Sequence, residues 1–76
     1  MYRCEVLTEW NTDYGMNRAQ VVIDYPQGIW SDATGQSDTV IPTEPNMVVF
    51  EGVVDADTLT ALEGDTHVIV LWSEAI

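Results

Sequence analysis

The stretch Met47–Glu74 decides the reading: MVVFEGVV (47–54), DADTLTALEGD (55–65) and, after Thr66, HVIVLWSE (67–74). The first run is rich in β-branched and aromatic residues that suit a pleated, half-buried surface, which predicts a strand over Met47–Val54. Asp55 follows as an N-cap, because its carboxylate can accept from the free N–H groups of a first helical turn. Asp57 adds negative charge at the positive end of the helix dipole. With Asp55 as cap, Val54 and Leu59 occupy the two positions of a hydrophobic staple. Leu59 and Leu62, three apart, share one helical face, and Gly64 offers a left-handed stop. Val68–Trp72 is a second apolar run. About twelve residues between the two runs are just enough for a crossover between parallel strands. A helix this short does not persist alone in water, so it must pack on the sheet.

Outward from this unit, Tyr2–Trp10 alternates. Tyr2, Cys4, Val6, Thr8 and Trp10 fall on one side; Arg3, Glu5, Leu7 and Glu9 fall on the other, which predicts a strand with one buried and one wet face. Asn11–Arg18 is a polar loop around Gly15, with Tyr14 and Met16 at its tip. Ala19–Tyr25 (AQVVIDY) reads as a second strand, able to pair with the first and ended by Pro26 and Gly28. Residues 29–46 lack periodicity and contain Gly35, Pro42 and Pro45, whose rings hold the preceding residues extended. So long an irregular stretch reads as an interaction loop or arm. Its large apolar anchor, Trp30, either tucks back on the sheet or inserts into a neighbour, and tucking back is favoured.

The expected fold is α+β: a small sheet of three or four strands, mixed or antiparallel, with one short helix packed on one face, in the order β-β-loop-β-α-β. Tyr2, Cys4, Val6, Val21, Ile23, Phe50, Leu59, Leu62, Ile69 and Leu71 are the expected core. The 76 residues make one domain, 1–76, with one modest core. Such small domains often need disulfides, a metal or a partner subunit. A single cysteine allows no internal disulfide, so oligomerisation or docking on a larger assembly is expected.

Thirteen acids face two arginines, Arg3 and Arg18, for a net charge of −11, and there is no lysine. That balance argues against direct contact with nucleic acid or an anionic membrane, both of which need clustered cations. It favours solubility, a basic protein partner or mimicry of nucleic acid. The N-terminal residues read as a strand rather than a targeting signal, and no apolar run reaches bilayer length.

Few side chains suggest chemistry. DADTLTALEGD is rich in carboxylates but lacks the ligand spacing of a calcium loop, and capping explains it better. His67 and Asp65 are two apart, and one such pair does not make a zinc site. Glu5 and Glu9 lie roughly 13 Å apart along a strand, too far for paired-carboxylate catalysis. With one histidine, no Ser–His–Asp or Cys–His arrangement can be argued. Cys4 has no basic neighbour in sight to activate its thiol. No catalytic residue, cofactor site or metal site is expected.

The order of an opening Y-R-C-E-V-L strand, W-S-D-A-T-G-Q, T-E-P-N, D-A-D-T-L-T-A-L-E-G-D and a closing V-L-W-S-E resembles small uncharacterised proteins encoded among the structural genes of tailed bacteriophages. The resemblance implies a virion component assembled in a host cytoplasm: a capsid-associated, decoration or head–tail connector protein held to capsid or connector subunits by protein–protein contacts. Trp30, Tyr14, Met16 and Ile41 are the expected contact anchors, since aromatics and Met are enriched at interfaces. The alternative is a phage-encoded inhibitor whose acidic surface blocks a host nucleic-acid-binding defence protein.

Overall fold

The computed structural model describes residues 1–11, 18–32 and 47–76. Among these residues five strands and two helices follow one another: β1 (Tyr2–Asn11), β2 (Arg18–Ala19), α1 (Gln20–Asp24), β3 (Ile29–Asp32), β4 (Met47–Val54), α2 (Ala56–Gly64) and β5 (Val68–Ala75). Strand β1 is central. Its residues Tyr2–Thr8 pair antiparallel with both β4 and β5, so these two strands must lie on opposite edges of β1. They therefore run parallel to each other with β1 between them, and α2 carries the chain across. The crossover read from the sequence is thus present, threaded over an antiparallel centre strand. Strand β3 pairs with β4, and β2 pairs with the end of β1 at Trp10 and Asn11. The architecture is α+β, an antiparallel sheet with the core on one face.

That core follows from the alternation. Cys4, Val6, Thr8 and Trp10 of β1 and Val48, Phe50 and Val54 of β4 are buried on one face, together with Val68 of β5. Helix α2 closes over them with Thr58, Leu59 and Leu62, and α1 with Val21. The start of α2 matches its sequence signals. The Asp55 carboxylate accepts from the Thr58 N–H at 2.7 Å, and hydrogen bonding to Thr58, its side chain first and then this backbone N–H, holds the Asp55 pKa below the usual carboxylate range. Val54 and Leu59, the staple pair, are both buried. The stop differs from expectation. Gly64 is the last helical residue and has no left-handed φ. Asp65 ends the helix in an extended conformation, its N–H bonded to the Leu62 carbonyl at 3.2 Å. The Asp65 carboxylate then accepts from the His67 N–H at 2.8 Å and the Tyr25 hydroxyl at 2.8 Å.

Three further expectations are corrected. Ala19–Tyr25 is not a strand: only Arg18 and Ala19 pair with β1, and Gln20–Asp24 is a helix. Ala19 has no side chain with which to cap it. The buried Thr8 hydroxyl of β1 accepts from the Val21 N–H at 3.1 Å instead, so a residue thirteen positions away supplies the cap. Residues 29–46 are not irregular throughout, because Ile29–Asp32 forms β3 on β4; the rest of that range lies outside the described residues. Finally, Ile69 and Leu71 are not core residues, being 56% and 47% exposed on β5. Tyr2 and Ile23 are half-buried.

Trp30 explains why β3 docks where it does. It lies opposite Gly52 in the register, and a Cβ at position 52 would fall on its six-membered ring, against Cε3 and Cζ3. Only glycine lets the indole lie flat on β4. The indole N–H donates to the Tyr25 carbonyl at 2.7 Å. Trp30 thus tucks back on the sheet, at the rim of the core.

Candidate docking surface

The alternation buries one face of the sheet, and among the described residues no helix covers the other. Its rows can be read across the strands from the register. Leu7 stands between Val49 and Ile69, Glu5 between Glu51 and Trp72, and Arg3 between Val53 and Glu74. Strand β3 extends these rows, with Ser31 beside Glu51 and Ile29 beside Val53. Leu7, Val49 and Val53 are half-buried by their neighbours, while Ile29 is 70% exposed.

Three polar interactions mark this face. Arg3 donates from two guanidinium nitrogens to one Glu74 oxygen, at 2.8 and 3.2 Å. The bond to Glu74 raises the Arg3 pKa further above its ordinary value. Both partners are solvated, so the pair adds little stability. The Trp72 indole N–H donates to Glu5 at 3.3 Å. Glu5 and Glu51 stand directly opposite each other, an arrangement of like charges that opposes pairing of the two strands. At the far end, His67 Nδ1 lies 3.7 Å from Glu9.

Strand β5 is where the apolar exposure concentrates. Among the described residues it pairs with β1 alone. The register shifts between Glu5 and Val6, so that Trp72 faces Glu5, Val70 faces Val6, and Leu71 is left as the extra residue of a bulge. Ile69, Leu71 and Trp72, with Ile76 just beyond the strand, are large apolar side chains between 39% and 66% exposed. A groove of about 490 Å3 runs along this edge, lined by Glu63 of α2 and by Val68, Ile69, Val70, Trp72 and Ser73 of β5.

Nothing else among the described residues assembles chemistry. No three His, Cys, Asp or Glu side chains come together as a group able to hold a metal ion. Cys4 is fully buried, and burial pushes its thiol pKa up, away from the reactive thiolate. Burial and the bond to Asp65 push the Tyr25 hydroxyl up to about 12. The two bonds received by Asp65, from the His67 N–H and then from Tyr25, hold its carboxyl below the ordinary value.

Of the four anchors expected from the sequence, Tyr14, Met16 and Ile41 lie outside the described residues. Trp30 is half-buried with its N–H already engaged, so a partner could reach only the remaining surface of the ring. The residues that sequence reasoning missed are Ile69, Leu71 and Trp72. The run V-I-V-L-W has the pattern of a strand buried on both faces. The missing information was position in the sheet, which residue order does not carry. One signal was available: Ser73, Glu74 and Ala75 continue the strand with no large apolar residue to match the first half.

No family model, curated protein or solved structure matches this chain.

Proposed function

We propose that this chain is a small structural protein that works by docking, and that its docking surface is the open sheet face together with the β5 edge. The observation that carries this reading is the clustered exposure of Ile69, Leu71 and Trp72 on a strand that, among the described residues, is paired on one side only. Apolar residues scattered singly over a surface need no explanation, but a run of them along one edge marks an interaction site. An uncovered strand edge is also an aggregation hazard, which a permanent partner removes. The setting we assign is the particle of a tailed bacteriophage, with capsid or connector subunits as partners. That assignment rests on the resemblance of sequence, and the acidic balance suits docking on a basic subunit.

Mass spectrometry of purified particles from the phage that encodes the chain tests the setting. Presence in many copies per particle supports it; absence from particles overturns it, and the inhibitor reading would then be pursued by capture of host nucleic-acid-binding proteins at low and high salt. A chain carrying Leu71→Asp tests the surface. It should fold normally and be lost from the particles, whereas unchanged incorporation would refute docking through β5.

A further inference from the structure

We propose that the edge of β5 left open among the described residues takes up an extended, cationic segment of a partner protein as an added strand. This deepens the docking reading above and rests on it. The backbone comes first. Strand β5 spans eight residues, and among the described residues its pairing is with β1 alone. Of the devices that usually blunt an edge, lysine, proline and bulges among them, Val68–Ala75 has no lysine or proline and carries one bulge, at Leu71. The single charged side chain of the strand, Glu74, is engaged with Arg3 across the sheet. The bulge at Leu71 bends the strand, and so selects a partner whose own register accommodates it.

Charge identifies the occupant. A second copy of this chain would bring another net charge of −11 to the same edge, and the two would repel. A cationic strand meets complementary groups on both sides of β5. On the open face, Trp72 offers its ring beside Glu5, and Glu51 lies one strand further on. A guanidinium or ammonium over that indole would gain a cation–π contact and neutralise a carboxylate of an opposed like-charge pair. The groove of about 490 Å3, lined by Trp72 as well as by Val68 and Val70, adds the Glu63 carboxylate from α2, which packs on the core side of β5. Strand addition places alternate side chains of the incoming segment on these two sides, so main-chain bonds give affinity and the two acidic flanks give selectivity.

The test uses the whole chain and an eight-residue peptide, Val-Arg-Arg-Val-Val-Arg-Arg-Val, whose arginines fall on both faces of an added strand, followed by amide hydrogen exchange and by tryptophan fluorescence at low salt. In the free protein, the outward-facing amides of β5 should exchange rapidly, and the peptide should protect them. Glu5→Gln and Glu63→Gln should each raise the peptide Kd about three- to tenfold. N-methylation of alternate peptide nitrogens should weaken binding about tenfold or more, since it removes ladder donors without changing charge. The proposal is overturned if those amides are already protected in the free monomer, because the chain's own residues then cover the edge. It is overturned equally if they are protected in a dimer, which makes a second copy the occupant. Equal binding of the N-methylated peptide would reduce the effect to charge alone, and equal binding of a glutamate-for-arginine peptide would remove charge selection. The two levels fail separately. A chain found on particles with an unresponsive β5 refutes strand addition only, and a chain absent from particles that still binds the peptide at β5 refutes the virion setting only.

Discussion

Gly52→Ala is the smallest change that should disturb the packing of β3. An added Cβ would meet Cε3, Cζ3 and Cδ2 of Trp30, well inside any real carbon–carbon contact. The far end of a flexible side chain could swing aside cheaply, but this is a rigid indole fixed at two points. Its ring lies on β4, and its N–H is held by the Tyr25 carbonyl at 2.7 Å. To make room the ring must lift off the sheet. The overpacking costs about 1–3 kcal/mol, and loss of the indole bond adds about 0.5–1.5 kcal/mol. Alanine's better strand propensity offsets about 0.5–1 kcal/mol. The expected net loss of about 1–3 kcal/mol is a sizeable fraction of the roughly 5–15 kcal/mol typical of a folded domain. Urea unfolding followed by far-ultraviolet circular dichroism gives the loss directly. The decisive measurement is the cycle with Trp30→Ala, which removes the ring that the methyl group would strike. In that background Gly52→Ala should be close to neutral, a coupling of about 1–3 kcal/mol. An equal cost in both backgrounds would refute the account, and would place the requirement for glycine in the backbone of β4 rather than under Trp30.

Other expectations follow from the same geometry. Leu62→Ala empties a fully buried position beneath α2 and should cost about 2–5 kcal/mol in the same urea assay. Thr8→Val keeps the side-chain shape but removes the acceptor of the Val21 N–H; it should cost about 1–3 kcal/mol and weaken α1 selectively, seen as faster amide exchange over Gln20–Asp24, while Thr8→Ser should retain most of the stability. Tyr25 binds its proton more tightly when folded than when unfolded, so the stability it contributes is complete below about pH 10 and is lost as pH rises toward its folded value of about 12; Tyr25→Phe should remove that alkaline step from a pH series of melting temperatures. Asp55 and Asp65 shift the other way, so their contribution is present above about pH 4 and falls away as they protonate, and replacing both with Asn should flatten the acid limb.

The parts of the fold that could be read from the sequence are those whose causes are local. The cap at Asp55, the staple of Val54 with Leu59 and the facing pair Leu59 and Leu62 all lie within one short window, and each is found in its expected role. The alternation in β1 likewise predicts which face is buried, down to Thr8 among apolar residues. The errors have long-range causes. Val21, Val22 and Ile23 form a β-branched run that favours a strand, yet they are helical because the antiparallel register would carry them back along β1 to Thr8, whose two edges β4 and β5 already occupy, and because the Thr8 hydroxyl satisfies the first turn. The expected β3-free stretch after residue 28 fails for a similar reason: four residues suffice for a strand when Gly52 opens a seat for Trp30.

The exposed edge needs a cause other than folding. A chain of this size has few large apolar side chains, and those on β5 could contribute to stability only if covered. Val68 is covered and Val70 half-covered, because Thr8 and Val6 lie opposite them and α2 closes above. The bulge then shifts the register, leaving Leu71 unpaired with β1 and Trp72 beside Glu5 on the open face. Folding alone would be served as well by threonine or lysine at 69 and 71, residues that tolerate water and, in the case of lysine, protect an edge from indiscriminate pairing. Their replacement by isoleucine and leucine, in a chain without a single lysine, fits an edge meant to be occupied. Ile69→Thr and Leu71→Lys therefore separate the two explanations. Each should change stability by less than about 0.5 kcal/mol while docking is lost, and a loss of several kcal/mol in the isolated chain would instead make β5 a structural strand whose apolar residues serve the fold.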